Sequence, residues 1–87
     1  MKAKLGMAVI ARGPGASSNG ADQAPGVVTR VWNNSEHVEN GYVCVNISVF
    51  PDASDRLLSL TSVYMAADED DANARFAGYQ NVCWPAA

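Results

Sequence analysis

The chain has 87 residues, with six Lys or Arg against nine Asp or Glu, a formal net charge of −3 and an isoelectric point near 4.7. That length suits a single domain over residues 1–87, with a thin core that buries roughly 60–65% of the unfolded surface. Apolar residues make up 48% and charged ones 17%, which argues against disorder, and the scattered Lys2, Lys4, Arg12, Arg30, Arg56 and Arg75 argue against a long nucleic acid as partner. A local basic pocket for a small anion still fits.

No stretch approaches the length of a membrane span. The apolar segment 7–11 behind the basic start is too short for a signal-peptide core and is followed by Arg12-Gly13-Pro14-Gly15. The expectation is a soluble protein of the cytoplasm, in which Cys44 and Cys83 stay reduced.

Residues 4–11 read as a first strand, with Leu5, Met7, Val9 and Ala11 on one face and Ala8 and Ile10 on the other. Residues 12–24 read as a loop rich in Gly and Ser, more mobile than functional. Residues 27–32 form a second strand, placing Val27, Thr29 and Val31 on one face and Val28, Arg30 and Trp32 on the other. A polar connection, with Asn33-Asn34-Ser35 as its turn signal, leads into residues 42–50. There Val43, Val45, Ile47 and Val49 fall at every second position and Tyr42, Cys44, Asn46, Ser48 and Phe50 fill the alternate set, the pattern of a central strand paired as a hairpin with the one before.

After the turn at Pro51-Asp52-Ala53-Ser54-Asp55, residues 57–65 read as a fourth strand of open register. Either Leu58, Leu60, Ser62 and Tyr64 or Leu57, Ser59, Thr61, Val63 and Met65 could point inward. Residues 68–77 suit a short helical turn with Asp68 as cap and Gly78 as stop, its acids at the positive end of the dipole, and they suit a solvated loop equally. Residues 81–84 form a last strand that Pro85 ends. Five short strands describe an all-β domain, a small antiparallel barrel or roll of the Src-homology-three kind.

Catalytic signals are weak. His37, the one histidine, sits in a polar loop beside Glu36 and Glu39 and reads as exposed and inert; no G-x-S-x-G elbow accompanies it. One His and two distant Cys do not make a zinc site, and Asp68-Glu69-Asp70-Asp71 lacks the glycine and alternating ligands of a calcium loop, so neither a metal nor a cofactor is expected. Arg12-Gly13-Pro14-Gly15-Ala16-Ser17-Ser18 could cradle an anion with backbone N–H groups but lacks the Gly-Lys-Ser/Thr ending of a phosphate loop.

The set with most chemistry is Arg30, Trp32, Asn46, Thr61 and Trp84. In one reading Asn46 ties down a neighbouring loop while Trp32 and Trp84 close a hydrophobic minicore. In a second the set lines a pocket for a planar anion, with Arg for charge, Trp for stacking and Asn for edge hydrogen bonds. In a third it forms a subunit contact.

Val28-Thr29-Arg30-Val31-Trp32, then Cys44-Val45-Asn46-Ile47-Ser48-Val49-Phe50-Pro51-Asp52, then Thr61-Ser62-Val63 and finally Trp84-Pro85 follow one another in the order and spacing of a family of short bacteriophage and prophage proteins. The chain resembles that family over residues 25–85. Members usually show V-x-R-V-W, C-V-N-L-x-V-F-x-D and T-S-V strands and a closing W-H-W-P. Here Val82 and Cys83 stand where the family has Trp and His, and the acidic segment is longer. The resemblance implies a phage source and a small barrel, without an activity.

By analogy with small phage proteins that lack catalytic residues, two roles are expected. The first is a non-enzymatic binding protein of the host cytoplasm, a homo-oligomeric sponge that sequesters a small anionic, nucleotide-type ligand at a subunit seam to counter host defence. The second is a virion structural protein, decorating the particle or joining head and tail and contacting other virion proteins.

Overall fold

Val43, Val45, Ile47 and Val49 are all buried while Cys44, Asn46 and Ser48 between them are half-exposed, so the every-second-residue stripe of the sequence is one inward face of a strand. The computed structural model describes residues 3–32, 43–53 and 56–86. His37, Tyr42, the turn signal at Asn33-Asn34-Ser35 and the end of the later turn, Ser54-Asp55, lie outside them.

The chain runs β1 (Ala8–Arg12), β2 (Gln23–Val31), β3 (Val43–Val49), β4 (Leu58–Met65), α1 (Glu69–Arg75) and β5 (Val82–Pro85). The strands close into a barrel in sequence order. Four of the seams are antiparallel, but β4 and β5 run parallel through Tyr64↔Val82 and Met65↔Cys83. The wholly antiparallel barrel expected from sequence is corrected here by parity. Five strands that alternate from β1 to β4, with β5 antiparallel to β1, must leave β4 and β5 pointing the same way. A parallel pair needs a crossover, and α1 supplies it.

Asp68 caps α1 by accepting from the Asp71 N–H at 2.8 Å, and Asp71 reaches back to accept from the Ala67 N–H at 2.9 Å. Glu69, Asp70 and Asp71 occupy the first turn, where the helix dipole favours them. The acidic segment is therefore a helix, ending at Arg75 with Phe76 as its C-cap rather than at Ala77 with Gly78 as stop. Ala72 and Phe76 bury against Ala66, Val82 and Trp84, forming a second cluster on the outside of the barrel. The main core inside gathers Val9, Ala11, Val28, Val45, Ile47, Val49, Met65 and Cys83.

β2 begins earlier than the sequence suggests, at Gln23. Pro25 is tolerated because a residue's N–H and C=O point the same way in an antiparallel strand. Its carbonyl accepts from the Phe50 N–H at 2.9 Å, so its missing donor falls just past the end of β3. Gly26 follows, with the Ser48 carbonyl oxygen only 2.5 Å from where a Cβ would stand.

The remaining loop, residues 13–22, is packed rather than simply loose. Ala16 is fully buried in the main core. The Ala16 N–H donates to Gly13, the Ser17 N–H to Pro14 and the Gly15 N–H to the Asn81 Oδ1. Asn19-Gly20, both at positive φ, turn a tight hairpin closed by Ser18 and Ala21. These donors are spent within the protein, and the Arg12 guanidinium lies on the Trp84 ring and bonds Asn73 and the Ala72 carbonyl. The anion cradle read from residues 12–18 is therefore not formed. Among the described residues no helix is long and apolar enough to cross a membrane, and no three His, Cys, Asp or Glu group as a metal site.

Cys44 and Cys83 are both free thiols. Cys83 sits wholly inside the core, and burial, with a smaller contribution from Cys44, pushes its thiol from 9.0 up to about 12. The folded state thus resists ionisation that the unfolded chain undergoes, so its contribution is complete below pH 9.0 and is lost as pH rises toward 12. Wild type should lose more stability than Cys83→Ala between ~pH 8 and ~pH 10.5 in urea unfolding, because titrations common to both chains cancel.

Candidate functional site

Asn46 stands where the ladders on both of its sides slip. Val28 pairs with Ile47 but Arg30 with Asn46, so Thr29 is an extra residue in β2. Ile47 pairs with Leu60 but Val45 with Val63, so Thr61 and Ser62 together oppose Asn46 in β4. Ser62 takes the positive φ of 55° at that second bulge.

Each bulge reverses the alternation beyond it, because one extra residue turns every later side chain to the opposite face. In β4, Leu58 and Leu60 share the face of Val49 and Ile47, and past the bulge Val63 and Met65 share that of Val45 and Val43. Both readings of its register are thus right over half the strand. In β2, Gly26 and Val28 face inward before the bulge and Val31 after it, while Val27, Arg30 and Trp32 face out. This corrects the assignment of Val27, Thr29 and Val31 to one face and of Val28 to the face of Arg30.

The outward side chains then converge. The Asn46 Oδ1 accepts from the Trp32 indole Nε1–H and from the Ser62 backbone N–H, each at 2.9 Å. The Arg30 guanidinium lies over the Trp32 ring, 3.8 Å from its centre. Arg30 is exposed and Trp32 half-buried, so the stack stands on the surface with its indole edge anchored. Cys44, whose carbonyl accepts from the Trp32 N–H at 3.1 Å, is half-buried in the same row. Burial pushes its thiol up, partly offset by a hydrogen bond from Ser62.

The structure thus joins Arg30, Trp32 and Asn46, with exposed Thr61 next to them on the bulge. It does not join Trp84. Ile10 pairs with both Trp84 and Pro25, which sets Trp84 level with Pro25, while Trp32 lies beyond the other end of β2. Trp84 is buried under α1 with Phe76 and Val82, so a minicore or pocket shared by the two indoles is not formed. Asn46 ties down a bulge in the adjacent strand rather than a loop.

Residue type does not single out Ser62, because its contribution is a backbone N–H. Its signal in the sequence is the step from Leu58 and Leu60 to Val63 and Met65, even to odd spacing within one strand. No protein-family model, curated protein or solved structure matches this chain.

Asn46→Ala removes one acceptor from two donors and should cost about 1–3 kcal/mol in chemical unfolding. Asn46→Asp keeps an oxygen there and should lose clearly less. Equal losses would show that the acceptor is not what holds the bulge.

Proposed function

We propose that this chain is a phage-encoded, non-enzymatic binding protein that holds a small planar anion of nucleotide type on the Arg30–Trp32–Asn46 face. Sequestration of such a signal, to counter host defence, is the role this supports best, with the protein acting as a homo-oligomer in the host cytoplasm. The phage source draws on the resemblance over residues 25–85 alone.

The observation that carries the reading is the exposed Arg30 guanidinium stacked at 3.8 Å on an indole that Asn46 anchors. A guanidinium carries five N–H donors, which can meet phosphate oxygens while its carbon stays over the ring. Thr61 adds a hydroxyl on the adjacent strand. Trp84 takes no part. Holding a ligand without turnover needs no general base, and the pushed-up Cys44 thiol is a poor nucleophile.

Titration calorimetry with cyclic di- and trinucleotides should give binding at micromolar affinity. Arg30→Ala or Trp32→Ala should weaken it by at least about tenfold, the loss of one charge-assisted bond or one stacked ring. No heat at micromolar protein would overturn the reading.

Exposed Phe50, Leu57 and Leu58, at 51%, 58% and 37%, favour a second reading as a virion structural protein, since such side chains suit a protein contact. Mass spectrometry of purified particles separates the two. A virion component appears there at stoichiometric copy number, and a sequestering protein does not.

A further inference from the structure

β4 pairs with β3 from Leu58 to Met65, but with β5 only at Tyr64 and Met65. The first half of β4 is therefore an edge within a barrel that is otherwise closed. Among the described residues, Leu58, Ser59, Leu60 and Thr61 make no backbone hydrogen bond outside the ladder to β3. Such a row of free N–H and C=O groups is a template for another strand, and proteins usually blunt it with Lys, Pro or an early bulge. Here Leu57-Leu58-Ser59-Leu60-Thr61-Ser62 carries no charge and no proline, and the bulge comes only at its far end.

We propose that this edge pairs antiparallel with the same edge of a second copy of the chain, about a two-fold axis at Ser59. The occupant is argued from the pattern. A two-fold axis makes residue i meet j and j meet i whatever the sequence, and about Ser59 the palindrome Leu58-Ser59-Leu60 makes the flanking residues that meet leucine against leucine. Pairing about Ser59 sets Leu58 of each copy against Leu60 of the other, and Leu57 against Thr61. Leu58 and Leu60 share the inward face, opposite Val49 and Ile47, so four leucines meet at the joined barrel mouths. Leu58, 37% exposed although it points inward, gains the cover that β5 does not extend to give it. The uncharged edge also lets two acidic chains approach without local repulsion. The contact is distinct from the Arg30 stack, and its test reads mass, so it can fail while the ligand reading stands.

Light scattering and sedimentation of the full chain should show a dimer at ~100 µM protein that dissociates on dilution. S59K and S59E each place like charges face to face on the axis and should be monomeric, with unchanged far-ultraviolet circular dichroism showing that they fold. Mixing the two variants in equal amounts should restore the dimer, an outcome that local misfolding would not produce. A wild-type chain monomeric up to ~1 mM, or S59K dimerising as wild type does, would overturn the proposal.

Discussion

One side-chain oxygen fixes the middle of the sheet. The Asn46 Oδ1 takes the Ser62 N–H in β4 and the Trp32 indole N–H that follows β2, so a single residue of the central strand holds both of its neighbours. Both neighbours carry an extra residue at that level. Bulges raise local twist and bend a strand, and a short sheet must curl strongly to close on itself with only five strands. The freed Ser62 N–H is the cost of the bulge in β4, and the amide of Asn46 offsets it.

Closure then dictates the rest of the architecture. An odd number of strands in one ring forces a parallel seam, and the chain must cross the end of the barrel to make it. α1 is that crossing, and it lies on the outer surface of β5 and the end of β4, where Trp84, Val82 and Tyr64 would otherwise face water. Arg12 bonds the helix and covers the indole of Trp84, joining β1 to the same layer. The protein therefore has two apolar clusters, with Cys83 inside the barrel and its neighbours Val82 and Trp84 outside.

The same bulge that shapes β2 makes the surface chemistry. It turns Val31 inward, partly buried against the core, and leaves Arg30 and Trp32 outside, two apart on one face, where the guanidinium can lie over the ring. Anchoring the indole edge limits rotation of the ring, so less freedom remains to be lost when something stacks there. Asn46 spends its oxygen on this anchoring. Recognition of a ligand on this face accordingly falls to the guanidinium and the nearby hydroxyl of Thr61.

The sequence by itself determined the class of fold and the inward stripe of Val43, Val45, Ile47 and Val49, because alternation along β3 is local and unbroken. It offered Asp68 and the acids after it as the capped start of a helix, since they act on their own turn, yet suited a solvated loop equally. Only the tertiary structure decided the parity of β2 and β4, the parallel seam and the removal of Trp84 to the far side of the barrel. Those follow from pairing between strands distant in the chain: an extra residue is visible only against the partner it fails to match, and a tryptophan at a strand end faces whichever layer the closing crossover has placed above it.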